Sequence, residues 1–150
     1  MSRFGAQVCA WAVLVACATG PLLAHEAATG VVKGRMDQMK EMGRSLKRIN
    51  DRLKSNRDLP GIAADAERIR TAAQKLPSLF PDGSTNEHSE AKPQIWKQWA
   101  RFTDAARALQ SEADALKDAA LTGSASDLTT RFRAVTGACA TCHDKFRVRR

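Results

Sequence analysis

The stretch Cys139-Ala140-Thr141-Cys142-His143, near the C-terminus, determines how the rest of the chain is interpreted. On an α-helix, residues three positions apart are separated by about 60° around the axis, and residues four positions apart by about 40°. Cys139, Cys142 and His143 would therefore share one helix face. Two thiols and an imidazole on one face are what c-type haem attachment requires, since the thiols bond to the haem and the imidazole binds its iron.

Three other structures also use a Cys-x-x-Cys pair: a disulfide, a thioredoxin-like redox pair and half of a zinc site. A redox pair is expected early in a strand-helix unit, which does not fit this position. A zinc site needs further ligands, and beyond residue 24 the remaining histidines and cysteines are only His25 and His88. We therefore predict covalent haem with His143 as an iron ligand, and keep a disulfide in a structural helical bundle as the alternative.

Residues 1–24 are typical of a secretory signal peptide. Arg3 precedes an apolar run that is too short to cross a membrane as a helix, and cleavage after Ala24 would leave a domain of residues 25–150. The sequence up to Cys17 also resembles a bacterial lipobox, in which Cys17 would carry a lipid anchor. Covalent haem of this kind is installed outside the bacterial cytoplasm, so we expect a periplasmic protein with no membrane span.

The charged residues indicate a basic, solvated surface. Twenty-four basic and sixteen acidic side chains give a formal net charge of +8, which steers a small protein toward acidic partners or anionic membranes. Nucleic acid is a poor partner for an exported protein. We interpret Asp37, Glu41, Asp65 and Glu67 as helix surface without a paired-carboxylate pattern, and His88 as a solvated loop residue.

Apolar residues recur at heptad spacing and predict four amphipathic helices. Their inner faces are Val32, Met39, Met42, Leu46, Ile49 and Leu53; Ile62, Ala66, Ile69, Ala73 and Leu76; Ile95, Trp99, Phe102, Ala106, Leu109, Ala113, Leu116 and Ala120; and Leu128, Phe132, Val135, Cys139, Cys142 and Phe146. Pro60 and Pro93 suit the first turns of the second and third helices, and residues 77–92 form a long loop. We predict an all-α fold, an antiparallel up-down-up-down four-helix bundle with covalently bound haem. Trp96 and the aromatic inner-face residues Trp99, Phe102 and Phe132 are expected in the core and the haem wall.

Two patterns occur together in this chain: residues 139–143 with 145–147 after them, and Arg35 with Met39 four residues later. With these patterns the chain resembles the class II c-type cytochromes, the cytochrome c′ and cytochrome c-556 group, over residues 25–150. Residues 76–81 and 93–96 are more similar to the c-556 branch. Relatives commonly pair through their first two helices, so the resemblance implies a homodimer.

The residue opposite the histidine divides the branches of this family. Five-coordinate cytochrome c′ relatives carry an apolar side chain there, and only small gases reach the iron. In the c-556 type, a first-helix methionine is the sixth ligand. The resemblance therefore implies that Met39 binds the iron opposite His143, in an electron carrier that serves redox partner proteins and is not an enzyme. Core packing by Met39, or ligation by Met36 or Met42, are the alternatives, and an unbound Met39 would leave a protein that binds nitric oxide or carbon monoxide.

Arg35 occupies the inner face of the first helix, where a cation is costly unless an anion meets it. Haem propionates are such anions, and the resemblance implies that Arg35 contacts them. Arg147, four residues after His143, is a weaker candidate for the same role. Alternatively, Arg35 lies near enough to the helix start to extend its charged end into water.

Overall fold

The computed structural model describes residues 30–55, 58–122 and 125–149, so the predicted signal peptide, its cleavage after Ala24 and the lipid anchor at Cys17 lie outside the described residues. No helix in this part of the chain has the length and apolar character needed to cross a membrane. The helices are α1 (Gly30–Ser55), α2 (Leu59–Lys75), a 3₁₀ turn (Leu76–Leu79), α3 (Gln94–Lys97), α4 (Trp99–Thr122) and α5 (Ala125–Phe146). The predicted all-α four-helix bundle is confirmed, with α1, α2, α4 and α5 as its long helices.

Asp58 builds the corner between α1 and α2. Its backbone is left-handed, with φ 60° and ψ 57°, and its carboxylate accepts a hydrogen bond of 3.0 Å from the backbone N–H of Gly61. Arg52 of α1 donates to the same carboxylate at 2.6 Å. A Cβ at position 61 would overlap the Asp58 carboxylate, so this N-terminal cap of α2 requires glycine there.

The inner faces of the helices meet in one core, but the packing is uneven around the bundle. The pairs α1 with α2, α2 with α4, and α4 with α5 are in extensive contact, whereas α1 and α5 touch only sparsely. Each helix of a four-helix bundle normally packs against two neighbours. The sparse contact therefore marks a gap in the core between α1 and α5.

The sequence predicts an unbroken third helix from Pro93, but the structure divides it in two. Gln98 leaves the helical conformation, with φ −127° and ψ 43°, and separates α3 from α4. Trp99 is consequently 40% exposed, which corrects its predicted place in the core. Phe102, one turn later, is buried as predicted, and its ring centroid lies 5.4 Å from that of Trp99.

The prediction that Asp65 lies on a helix surface is wrong. Its side chain is fully buried between α1 and α2, where three arginines meet the carboxylate. Arg48 donates at 2.6 Å, Arg52 at 2.6 Å and Arg68 at 2.8 Å. Burial raises the pKa of Asp65, but these hydrogen bonds outweigh it and hold the pKa below its ordinary value.

Candidate haem pocket

A cavity of about 700 Å³ fills the gap between α1 and α5. Cofactor pockets span about 300–1,000 Å³, so its size suits a cofactor. The α1 wall consists of Arg35, Met36, Met39, Lys40, Met42, Gly43 and Leu46, and the α5 wall of Cys139, Cys142, His143 and Phe146. The residues that the sequence predicts as haem and iron ligands thus line one space.

Cys139 and Cys142 are half-buried free thiols on the inner face of α5. Burial raises the pKa of Cys139, and burial with the neighbouring thiol raises the pKa of Cys142 to about 11. A reactive redox dithiol has the opposite property, a lowered thiol pKa. The redox-pair alternative therefore does not fit.

His143 follows directly after Cys142 and lies half-buried on the same wall. Burial, together with the positive charge of Arg147, lowers the pKa of its imidazole. The imidazole is therefore neutral at neutral pH, which is the form that binds a metal. Among the described residues, no three or more His, Cys, Asp or Glu side chains are grouped as a metal ion would require, so the zinc alternative finds no support there.

One side of the cavity is apolar and aromatic. The ring of Phe102 is buried between Phe80 and Phe146, with centroid distances of 4.8 and 5.5 Å and edge-to-face geometry in both pairs. The remaining apolar lining comes from Leu76, Ile95 and Leu109. Such a wall suits the flat, apolar ring system of a haem.

Met39 lies half-buried on the α1 wall, which faces the α5 wall, and it packs against the core. Met36 and Met42 line the same cavity one turn to either side. The predicted interior position of Met39 is therefore confirmed, and its binding to iron stays a prediction.

Arg35 marks the polar end of the cavity. It is only 4% exposed, so the alternative in which its charged end reaches water is wrong. Its guanidinium donates to the Ser84 carbonyl oxygen, to the Ser84 hydroxyl at 3.4 Å and to the Ser89 hydroxyl at 3.3 Å, and it stacks over the Phe80 ring at 4.7 Å. These partners carry no full charge, so they do not neutralise the buried cation, and burial lowers its pKa.

The loop before α3 is joined to the tail after α5 by backbone hydrogen bonds. The backbone N–H of Lys92 donates to the carbonyl oxygen of Phe146 at 2.9 Å, and the backbone N–H of Val148 donates to the carbonyl oxygen of Glu90 at 2.8 Å. Arg147, the weaker propionate candidate, lines the cavity but pairs with the Glu90 carboxylate at 2.6 Å. An anion in the cavity would therefore have to compete with Glu90 for Arg147.

Trp96 holds the start of this loop. Its half-buried indole N–H donates to the carbonyl oxygens of Phe80 at 3.2 Å and Pro81 at 2.9 Å. Trp96 packs against the core as predicted, but it is not part of the cavity wall. It supports the segment that follows Phe80.

The sequence predicts a solvated His88, and the structure corrects this prediction in part. Its side chain is 36% exposed, yet its Nε2 atom is buried, lacks a hydrogen-bond partner among the described residues, and belongs to a residue that lines the cavity. The Glu87 carboxylate lies 3.6 Å from Nε2. A polar loop gives no periodic pattern by which sequence reasoning could have found this.

The comparisons with known proteins agree with this pocket. The family model described as Cytochrome C′ matches residues 30–147. The chain belongs to the cytochrome c′ family. It is 34% identical to the cytochrome c′ of Rhodospirillum rubrum over 68% of this chain and 71% of that protein. It is also 30% identical to the cytochrome c-556 of Agrobacterium fabrum over 82% of this chain and 84% of that protein.

A solved structure has the same fold. A variant of cytochrome c prime from Alcaligenes xylosoxidans in complex with nitric oxide superimposes with a TM-score of 0.73 and 27% identity, over 80% of this chain and 94% of that one. Cytochromes c′ and c-556 carry one covalently bound haem c with its iron. The cavity fits that group, because two free thiols, a neutral imidazole, an apolar wall and a buried cation surround one haem-sized space.

Proposed function

We propose that this protein is a periplasmic electron carrier whose haem c is bonded to Cys139 and Cys142 and whose iron is held by His143 and Met39. The bound haem supplies a one-electron Fe(III)/Fe(II) couple. One observation carries the proposal: Met39 of α1 lines the same cavity as Cys139, Cys142 and His143 of α5, in the gap where these two helices are in sparse contact.

The protein's contribution is to hold and shield the cofactor. A thioether ligand from Met39 raises the reduction potential relative to two imidazoles, and the apolar wall limits access of water. Retaining both His143 and Met39 in both oxidation states keeps the structural change small. The cation of Arg35 compensates carboxylate charge at the polar end. No substrate is altered, so these residues serve a carrier and not an enzyme.

A second candidate is a five-coordinate protein that binds nitric oxide or carbon monoxide. Its support is the nitric oxide complex of the related cytochrome c prime, together with the relatives named cytochrome c′. In that case Met39 packs in the core beside Met36 and Met42, and one side of the iron stays open. The relative named cytochrome c-556 and the position of Met39 on the cavity wall favour the carrier.

Absorption spectra of the oxidised and dithionite-reduced protein, with and without carbon monoxide, test the proposal. We expect sharp reduced α and β bands that carbon monoxide leaves unchanged. In a Met39→Ala variant we expect high-spin spectra and a large carbon monoxide shift, while the matched variant Met36→Ala should behave as the unmodified protein. An unmodified protein that is already high-spin and binds carbon monoxide would instead support the gas-binding function.

Covalent attachment and export are tested by intact mass. We expect the exported protein to begin at His25 and to carry one haem, which Cys139→Ser with Cys142→Ser should abolish. A lipid-modified N-terminus at Cys17 would move the protein to a membrane surface. Sedimentation of the purified cytochrome checks the further expectation of a homodimer.

A further inference from the structure

We infer that His88 is a second hydrogen-bond donor to the haem carboxylates, beside Arg35, at the polar end of the cavity. The inference rests on the haem binding proposed above and extends it to a loop residue. It names the ligand group that Nε2 of His88 recognises: a carboxylate on the edge of the bound macrocycle.

The first argument is the state of the Nε2 atom. It is buried and has no hydrogen-bond partner among the described residues, and His88 lines the cavity. Buried polar atoms in native proteins almost always have a partner, because losing water without replacing it is costly. The partner of this atom is therefore expected on whatever fills the cavity.

The second argument is the position of His88 next to the buried cation. Arg35 binds both ends of the segment that carries His88, through the carbonyl oxygen of Ser84 and through the Ser89 hydroxyl at 3.3 Å. Within the segment, the His88 backbone N–H donates to the Asn86 side chain at 3.0 Å. The short segment that Arg35 binds at both ends thus carries an imidazole that lines the same cavity as the guanidinium.

The third argument is the distribution of polar groups around the cavity. The wall formed by Phe80, Phe102 and Phe146 is apolar, whereas Arg35 and His88 contribute polar groups to the lining. A haem has the same asymmetry, since its two carboxylates project from one edge of an apolar ring. The carboxylates accept hydrogen bonds, so Nε2 of His88 carries the proton and donates it.

The direct test is nuclear magnetic resonance of the haem-loaded protein with labelled histidine. The reduced protein is diamagnetic if Met39 binds the iron, and its carbon monoxide complex is diamagnetic if it does not, so the test works for either function. We expect a slowly exchanging Nε2–H proton of His88 with cross-relaxation to the propionate methylene protons. An unprotonated Nε2, or a proton without that contact, would overturn the inference.

Reduction potentials provide the second readout. Loss of a donor leaves more negative charge at the haem edge, so His88→Phe should lower the midpoint potential while the absorption bands stay in place. His88→Gln, which keeps an N–H donor, should restore part of the shift. Thr85→Ala, at an exposed position of the same loop, should have no effect.

The outcomes separate this inference from the proposed function. A haem-loaded protein in which His88→Phe leaves the potential unchanged overturns the role of His88 alone. A His88→Phe variant whose iron spin state differs from that of the parent would mean that His88 acts on the iron ligands, which also overturns it. An exported protein whose mass shows no haem overturns the proposed function and the inference together.

Discussion

Asp65 is a buried carboxylate that joins α1 to α2 through arginines on both helices. The heptad pattern places it beside the inner-face residue Ala66, yet acidic residues are normally assigned to the surface. What the sequence does contain is Arg48 and Arg52 on one helix and Arg68 on the next. Charge pairing between residues distant in sequence has no periodic signature, and this is why the sequence alone predicts the wrong environment.

Replacing Asp65 tests this ion cluster. Asp65→Asn should lower the free energy of unfolding at pH 7 by about 3 kcal/mol, because arginines that point at a buried position lose their counter-charge. Since the folded-state pKa of Asp65 is lowered, its contribution is fully present above the unfolded-state pKa of about 3.9 and is lost as the pH falls further, through the folded-state pKa. Denaturant unfolding at pH 7 and at pH 3 should therefore show a smaller difference between variant and parent at pH 3.

Asp51→Asn is the matched control, since Asp51 forms an exposed pair with Lys47 on α1. Exposed pairs contribute little, so its stability should equal that of the parent at both pH values. An equal loss of unfolding free energy in the two variants would mean that the ion cluster around Asp65 contributes no more to stability than an exposed ion pair.

At the site, the positions of the candidate residues on one cavity could be predicted where chemistry dictates their spacing, while their binding to haem and iron stays a prediction. Cys139, Cys142 and His143 must share a helix face to reach one haem, so their sequence positions alone predict their common wall. Met39 and Arg35 follow from heptad position. His88 could not be predicted, because its place depends on how a loop folds back over the end of the bundle.

The helices themselves show which local rules carry information. Their inner faces repeat every three or four residues, so four helices and a long loop are predictable from the sequence. The break at Gln98 is not, because the heptad pattern continues through it. The indole of Trp96 is hydrogen-bonded to the carbonyl oxygens of Phe80 and Pro81, a contact between segments that sequence periodicity cannot contain.

Two helical glycines should respond in opposite ways to alanine. Gly137→Ala in α5 should stabilise the protein by about 0.5–1 kcal/mol, because a Cβ there meets open space and alanine loses less backbone entropy on folding. Gly61→Ala in α2 should destabilise it, since the new Cβ would displace the Asp58 carboxylate that caps the helix. Thermal unfolding of the two haem-loaded variants decides the matter, and a gain in both would show that the cap adjusts without cost.

The full sequence carries a formal charge of +8, and cleavage after Ala24 would remove only one positive charge, that of Arg3, so the exported protein stays basic and its charge should control its encounters. Oxidation of the dithionite-reduced protein by the anionic reagent hexacyanoferrate(III) should slow several-fold as the salt concentration rises, because screening removes the attraction between unlike charges. Oxidation by a cationic cobalt(III) complex should show the reverse dependence. Stopped-flow rates over a range of ionic strength provide the measurement. Rates that do not depend on salt for either reagent would mean that positive and negative charges are balanced on the surface near the haem.

The sparse contact between α1 and α5 makes the cofactor part of the core of the protein. Without it, the cavity of about 700 Å³ leaves the α1 wall without a packing partner on that side. The double variant Cys139→Ser with Cys142→Ser should therefore be cut about ten times faster than the haem-loaded protein in limited proteolysis. The cuts should fall within α1 or in the loop at 82–92. Equal cleavage rates would mean that the bundle closes by itself.

The proteolysis predicted above would act as quality control during maturation. A chain that has not received its haem is expected to be degraded first, because its α1 side chains lack a packing partner, whereas attachment is expected to protect the chain. The steady-state amount of the protein should follow the haem supply and the attachment machinery more closely than the rate at which the polypeptide is made.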